Sequence, residues 1–263
     1  MSNNGIKIKD GLLKELFERG LHLGFSRARR HPSTESYLFG YKNRQAIIDL
    51  EKTSQSLAQA KDFIKSLGGQ GKKIVLVGTK NEARLVVERA GKRVGAPYVT
   101  ERWLGGTLTN FKEFRRRVNR LLSIIEQEEK GELTVYTKKE RGVIGKEKEK
   151  LERYFASLVS LTELPGAVVV IDPKDEAIAV AEAKVVGVPV VALANSDCNL
   201  KGVDYPIVGN DTARDSIEYV INELTTAYAE GKSLLAALAA KPSAEEPVSG
   251  TPPANSSVSP AGR

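Results

Sequence analysis

The sequence predicts an α/β protein in which a parallel sheet carries helices on both faces and an antiparallel coiled-coil helical hairpin is inserted. Three continuous apolar runs, at residues 74–77, 167–171 and 188–193, are typical of strands buried on both faces of such a sheet. Helical patterns alternate with these runs, which favours right-handed βαβ crossovers. A heptad pattern of apolar residues lies between the first two runs and indicates the hairpin.

Residues 1–45 are predicted to form a short amphipathic helix followed by a basic loop. Within residues 9–18 the apolar side chains fall on one side of a helix: Leu12, Leu13, Leu16 and Phe17. The loop that follows combines cations with aromatic rings: Phe25, Arg27, Arg29, Arg30, Tyr37, Phe39 and Tyr41.

Residues 46–100 and 162–240 are predicted to form the α/β core. Apart from the three buried runs, the pattern indicates a short strand at residues 46–50. It also indicates helices at residues 53–67, 81–94, 176–186 and from about 211 to about 229. Strands and helices alternate along this part of the chain, as crossover connections require.

Residues 101–161 are predicted to form the hairpin. On its first arm the apolar residues are spaced alternately three and four apart: Phe111, Phe114, Val118, Leu121 and Ile125. A second seam, weakened by Glu147, runs through Ile144, Leu151, Tyr154, Leu158 and Leu161. Asn110 lies three residues before Glu113, which predicts a capping box at the start of the first arm. Such a hairpin usually reaches for a partner, although it could also be a dimerisation arm.

The composition predicts a cytoplasmic protein with a disordered tail. Residues 241–263 are rich in Pro, Ser, Ala and Gly, and have too few apolar side chains to offset their ordering entropy. We expect no membrane span, because no apolar run reaches about 18 residues. The N-terminus lacks the apolar core of a secretory signal, and the single cysteine, Cys198, suits a reducing compartment.

Charge is distributed unevenly along the chain. The net charge is +7, yet residues 1–160 hold 33 basic and 19 acidic residues, a net +14. Residues 161–240 hold five basic and twelve acidic residues, a net −7. This division favours one surface that faces a polyanion and another that faces water or basic partners.

The sequence contains no constellation that is typical of an enzyme. It has two histidines, and it has no HExxH, GxSxG or CxxC motif. The turn Gly78-Thr79-Lys80 follows a buried strand, so a nucleotide or sugar-phosphate site there remains an alternative. Oxygen-bearing side chains after the later strands leave a divalent metal possible: Asp172, Asp175, Glu176, Asp197, Asp204, Asn210 and Asp211. We predict no catalytic residue, no metal ligand and no cofactor.

The positive evidence favours recognition of an RNA backbone. Arginine presents a planar fork of donors that binds phosphate oxygens in pairs. The candidate RNA-binding residues are Arg27, Arg29, Arg30, Lys80, Arg102, Trp103, Arg115, Arg116, Arg117 and Arg120. Exposed aromatic rings can also stack on unpaired bases, and the candidates are Phe25, Tyr37, Phe39 and Trp103. We expect Phe39 to belong to the core more readily than Trp103.

Several blocks of the sequence resemble the bacterial ribosomal protein S2 family. The most specific is RWLGGTLTNF at residues 102–111, preceded by Val77-Gly78-Thr79-Lys80. Other blocks occur in the family's order: GLHLG at 20–24, IIDLEKT at 47–53, DYPI at 204–207 and GND at 209–211. The resemblance covers roughly residues 8–229.

The resemblance implies a flavodoxin- or Rossmann-like sheet with a coiled-coil protrusion, and a structural place in the small ribosomal subunit. It implies contacts with small-subunit ribosomal RNA and with other small-subunit proteins, including the one that captures messenger RNA. It implies no catalysis. Some positions depart from the family pattern, among them Phe25, the segment 195–200 and Thr212. These departures weaken any transfer of a metal or of local contacts in those loops.

The sequence therefore predicts a structural constituent of the small ribosomal subunit that acts in translation, as part of a cytoplasmic ribonucleoprotein. It is expected to bind ribosomal RNA through its phosphates and shape and to help dock neighbouring ribosomal proteins. The alternative is an α/β enzyme that binds a nucleotide or sugar phosphate at Gly78-Thr79-Lys80.

Overall fold

A computed structural model describes residues 4–239 and shows two β-sheets with surrounding helices. The α-helices in this part of the chain are α1 (Asn4–Glu18), α2 (Leu50–Gly69), α3 (Asn81–Val94), α4 (Phe111–Glu129), α5 (Lys138–Phe155), α6 (Ala177–Val186) and α7 (Arg214–Ala239). The strands are β1 (Leu23–Ser26), β2 (Leu38–Lys42), β3 (Gln45–Ile48), β4 (Ile74–Val77), β5 (Tyr98–Val99), β6 (Ala167–Ile171), β7 (Val190–Ala194) and β8 (Tyr205–Val208). The predicted disordered tail, residues 241–263, lies outside the described residues.

The larger sheet is parallel, with the strand order β5-β4-β6-β7-β8. Its central strands β4, β6 and β7 coincide closely with the three predicted apolar runs, and all their residues are buried. The two edge strands, β5 and β8, are not predicted from the sequence pattern, because they are short and lack a continuous apolar run. The predicted α/β fold class is confirmed.

Each face of the parallel sheet has its own apolar core, because successive side chains of a strand point to opposite faces. On one face, Leu76 and Val169 pack with residues of α2, α3 and α7. On the other face, Val75 and Val168 pack with residues of α6 and with the base of the hairpin. The helices therefore cover both faces, as the sequence predicts.

Helices α2 and α7 cross at a contact that only glycine permits. A Cβ atom added to Gly231 would lie 2.1 Å from the carbonyl oxygen of Lys65. One added to Gly68 would lie 2.5 Å from the carbonyl oxygen of Tyr228. Both distances are far below van der Waals contact, so the backbones of the two helices touch directly at this point.

The smaller sheet is antiparallel, with the strand order β1-β3-β2. The predicted strand at residues 46–50 is present as β3, but it pairs with β1 and β2 and lies outside the parallel sheet. The segment that contains β1 and β2 is predicted from the sequence to be a loop, and this prediction is wrong. Register shifts interrupt both pairings, and such bulges hide the alternation of apolar and polar residues by which a strand is recognised.

The hairpin consists of α4 and α5, joined by residues 130–137. Phe114, Val118 and Leu121 are buried along α4, as the predicted seam requires. On α5 only Phe155 is buried, and Leu151 remains half-exposed. The second arm is therefore covered much less completely than the first.

The predicted capping box at the start of α4 is wrong. Asn110 precedes the helix, but its side chain makes no capping hydrogen bond, and its φ and ψ of −122° and 55° are not the extended values that an N-cap needs. A capping box opens α5 instead. There Thr137 Oγ1 accepts from the backbone N–H of Glu140, and the Glu140 carboxylate accepts from the backbone N–H of Thr137. Among residues 4–239, no helix is both long and apolar enough to cross a membrane.

Candidate nucleic-acid interface

A cluster of cations lies where the end of β1 meets the turn between β2 and β3. The backbone N–H of Arg27 donates to the carbonyl oxygen of Arg44 at 3.1 Å and ties the two segments together. Lys42 lies opposite Gln45 across the turn. We call the surface formed by Arg27, Arg29, Lys42 and Arg44 the basic platform. All four of these residues are exposed.

The turn that carries Arg44 has an unusual backbone. Its central residues, Asn43 and Arg44, have φ angles of 49° and 66°. A two-residue type I′ hairpin turn requires positive φ at both positions, and the second is usually glycine. An arginine in this conformation is disfavoured by about 1–2 kcal/mol, so the turn presents a long cationic side chain where glycine would fit more easily.

Two of the platform's arginines rest on aromatic rings. The guanidinium carbon of Arg27 lies 5.4 Å from the centroid of Tyr41, and that of Arg29 lies 5.8 Å from the centroid of Phe25. Such cation–π contacts contribute about 0.5–1 kcal/mol each at exposed sites. They restrain the guanidinium groups and leave their N–H donors free for an anion.

The platform's cations are not paired with carboxylates in the part of the chain that the structure describes. Arg30, predicted with them, differs because it donates to Glu35 at 2.7 Å and to the Tyr41 hydroxyl at 3.3 Å. The structure thus separates Arg27 and Arg29 from Arg30, although all three look alike in the sequence.

The arginines of the hairpin are engaged within the protein. Arg115 donates to the carbonyl oxygens of Val159 and Leu161 at 3.3 Å and 3.0 Å and braces α4 against the end of the hairpin. This contact gives Arg115 a structural role that the sequence does not reveal. Reversing the whole Arg115–Arg117 triplet would therefore disturb folding as well as charge.

The remaining hairpin arginines pair with glutamates. Glu113 accepts from Arg116 at 2.9 Å and lies 3.6 Å from Arg117. Arg120 donates two hydrogen bonds to the carboxylate of Glu147, at 3.1 Å and 3.0 Å, and this bidentate salt bridge links the two arms. A phosphate would have to compete with these carboxylates, so the hairpin is a weaker candidate site for RNA than the basic platform.

Lys42 and Arg44 are candidate binding residues that sequence reasoning does not identify. Their signal is the sequence YKNRQ at residues 41–45, in which Asn43 is a turn former between two short runs suited to strands. A hairpin recognised there would have placed both cations beside its tip. Short, bulged strands conceal that pattern.

Lys80, predicted to contact RNA, is largely buried at the carboxyl edge of the parallel sheet and is already paired with two carboxylates. Its side chain is 17% exposed and pairs with Asp172 and Asp211, the latter at 2.6 Å. Asn195 also donates to Asp211, at 2.7 Å. The turn after β4 therefore offers no free cation to a phosphate, which removes the main support for the nucleotide alternative.

One ammonium group lies between two carboxylates at this edge, and the pKa values of the three groups shift accordingly. Burial disfavours the charged form of Lys80, but hydrogen bonds to Asp172 and Asp211 outweigh it and raise the lysine's pKa. Burial would raise the pKa of Asp172, but the hydrogen bond from Lys80 outweighs it and lowers that pKa. For the fully buried Asp211, burial prevails and raises the pKa. The ammonium group occupies the position between carboxylates that a cation would take. Among the described residues, no group of three or more His, Cys, Asp or Glu side chains is arranged to hold a metal ion.

The structure reverses the expectation for two aromatic residues. Trp103 is 3% exposed and packs in the core under the hairpin, so its ring has no face for a base. Phe39, expected in the core, is 82% exposed. Arg102 is exposed beside Trp103. The ring of Trp103 is buried because an apolar surface lies beneath the loop that carries it. The residues adjacent to Trp103 in the sequence do not reveal that surface.

The distinctive loop at residues 102–111 is held by one buried carboxylate. Glu182 of α6 accepts hydrogen bonds from the backbone N–H groups of Gly106 at 2.6 Å, Leu108 at 2.9 Å and Thr109 at 3.3 Å. These donors would otherwise be unsatisfied at the base of the hairpin. The loop is thus a rigid connection that sets where α4 begins.

A comparison with protein-family models supports the resemblance noted in the sequence. The model described as ribosomal protein S2 matches residues 16–231, well over half of the chain. The matched range contains the basic platform, the parallel sheet, the loop at residues 102–111 and the whole hairpin.

Proposed function

This chain belongs to the ribosomal protein S2 family and is therefore a ribosomal protein of the small subunit, and we propose that it binds ribosomal RNA of that subunit through the basic platform. The contacts are made to phosphates and to the shape of the RNA. The loop and hairpin provide secondary contacts, with Arg102 as the exposed candidate.

One observation carries this proposal: four exposed cations lie together without a carboxylate partner among residues 4–239. Counterion release on contact with phosphates is favourable when the cations are not already neutralised. Arg27 and Arg29 rest on aromatic rings, so less side-chain entropy is lost when they bind. The exposed ring of Phe39 lies on β2 of the same sheet and provides a surface for an unpaired base.

The family also supports a role in assembly, which we include in the proposal. The chain would help dock neighbouring small-subunit proteins, including the one that captures messenger RNA, in a cytoplasmic ribonucleoprotein. It would do so without catalysis. The proposed division of labour follows the predicted organisation: an N-terminal segment (1–45) for RNA, a core (46–100 and 162–240) as scaffold, a hairpin (101–161) for partners, and a tail (241–263).

The test is RNA binding by the purified full chain as a function of salt, with small-subunit ribosomal RNA as the ligand. Arg44→Gly removes a platform cation, and glycine adopts the positive φ of the turn without strain. The substitution should therefore weaken RNA binding without destabilising the fold. Each lost phosphate contact should reduce the slope of log K against log salt by about 0.7–0.9.

Arg89→Glu on α3 is a suitable control, because Arg89 is exposed and lies on a helix that carries no residue of the platform. Equal affinity and equal salt slope for wild type, Arg44→Gly and a combined Arg27→Gln, Arg29→Gln variant would refute the platform as the RNA site. Thermal denaturation of each variant distinguishes loss of binding from loss of fold.

A further inference from the structure

The hairpin carries a groove that no contact within residues 4–239 fills. It lies between α4 and α5, encloses about 700 Å³, and opens to solvent. Leu104 and Phe155 bound it near the core, and the ion pair between Arg120 and Glu147 bridges the arms at its outer end. Pockets of this volume are within the range that proteins use for ligands.

The lining residues follow one face of each helix. On α4 they are Glu113, Arg116, Arg117 and Arg120. On α5 they are Glu147, Lys150, Leu151 and Tyr154. Both sets have the spacing i, i+3, i+4, i+7, which marks a continuous stripe about two turns long on a helix surface. Two such stripes side by side form a groove of about 10 Å in length that suits a third helix.

The floor of the groove is apolar. Leu104, Leu151 and Tyr154 are only half-buried, so their apolar surface remains partly uncovered. Leu151 and Tyr154 belong to the poorly covered side of α5 described above, and Leu104 lies beside them in the loop at residues 102–111. A partner that brings apolar side chains to this floor would complete the packing that the second arm lacks.

The rim of the groove is cationic. Arg116, Arg117, Arg120 and Lys150 outnumber the two carboxylates, Glu113 and Glu147, that line it. The side chains of Arg116 and Arg117 are 79% and 59% exposed, so they can reach a partner while remaining near Glu113.

We propose that this groove binds an amphipathic helix of another protein, with apolar residues facing the floor and acidic residues facing the arginines. A second copy of the chain is a poorer occupant, because paired hairpins would bring like charges together. RNA is also a poorer occupant, since a phosphate backbone would leave the apolar side chains of Leu104 and Leu151 uncovered. This inference rests on the proposed role in docking neighbouring proteins and names the surface and chemistry of one such partner.

The test uses the purified full chain and fluorescence anisotropy with labelled probes. The main probe is an amphipathic peptide of about three turns, with leucines at i, i+3, i+4 and i+7 and glutamates elsewhere. The second has lysine in place of every glutamate, and the third is a single-stranded oligouridylate. We expect the acidic peptide to bind with micromolar affinity and the lysine peptide not to bind.

Two groove variants locate the site. The double variant Arg116→Glu, Arg117→Glu tests the rim, and Leu151→Asn tests the floor without changing charge. We expect each variant to lower the affinity for the acidic peptide by at least about tenfold, equivalent to about 1.4 kcal/mol. Arg89→Glu should leave that affinity unchanged. Weaker binding by Leu151→Asn would show that the apolar floor contributes to affinity, which would not be so if the peptide bound only to a basic surface.

The outcomes are distinct. Absence of acidic-peptide binding, or equal binding by wild type and both groove variants, would overturn the inference. So would oligouridylate binding that is lost in the groove variants, since that would assign the groove to RNA. The RNA proposal fails on different evidence, namely an unchanged salt slope in Arg44→Gly, which alters no residue of the groove.

Discussion

Replacing Gly231 by alanine should destabilise the protein strongly, although alanine is the better helix former. The added Cβ would lie 2.1 Å from the carbonyl oxygen of Lys65, 2.9 Å from the backbone nitrogen of Gly69 and 3.0 Å from the Cα of Gly68. All three neighbours are backbone atoms, so no side chain can rotate away. Helices α2 and α7 would have to separate by about 1 Å or more.

The size of the effect follows from two opposing contributions. Alanine improves helix propensity by about 1 kcal/mol over glycine. Overpacking costs about 1–3 kcal/mol, occasionally more, and here a backbone contact lies between two helices that both contribute to the main core. We therefore place the overpacking cost at the upper end of that range, about 3 kcal/mol. The net loss is then about 2 kcal/mol, which would lower Tm by roughly 4–8 °C for a domain of this size.

The matched control is the same substitution at Gly142. This residue lies within α5, and a Cβ there meets nothing within 4 Å. Gly142→Ala should therefore stabilise the hairpin by up to about 1 kcal/mol. Thermal denaturation followed by circular dichroism measures both. A Tm for Gly231→Ala equal to or above that of wild type would refute the inferred backbone contact.

Two further predictions concern buried charges. Lys80→Met leaves Asp172 and Asp211 without their cation and should cost about 3–5 kcal/mol near neutral pH. The lowered pKa of Asp172 means that its stabilising contribution is present above its ordinary pKa and disappears as the pH falls through the lowered value. The Tm difference between wild type and Lys80→Met should therefore shrink in acid, and a difference independent of pH would contradict this account. Glu182→Gln should cost about 1–3 kcal/mol, because the amide cannot accept all the N–H donors of the loop, and the emission of Trp103, the single tryptophan, should shift to the red. Unchanged emission and Tm would show that the loop does not depend on Glu182.

Patterns that repeat along the chain predict the fold well. The run from Ile74 to Val77 reads as a buried strand because every residue is apolar, and β4 has these limits. The seam through Phe114, Val118 and Leu121 places α4 correctly for the same reason. Backbone geometry limits side chains to periods of two or about 3.6 residues, so the sequence itself records which faces are covered. The β1-β3-β2 sheet escapes detection because bulges break that period.

The candidate site is predicted only in part. Arg27 and Arg29 are candidates from the sequence alone because a cluster of arginines is visible there, and both prove to be exposed. Lys42 and Arg44 are missed because they join the cluster only through the antiparallel sheet. Trp103 is misplaced because its burial depends on the sheet, the hairpin and α6 meeting beneath one loop.

The sequence by itself determined the fold class, the hairpin and the family, because each is recorded in local periodicity or in contiguous motifs. Only the tertiary structure decided which cations are free. Lys80 is neutralised by Asp211, 131 residues away in sequence, whereas Arg44 has no carboxylate partner among the described residues. Charge acts through space and falls off with distance, so its effect depends on which residues the fold brings together.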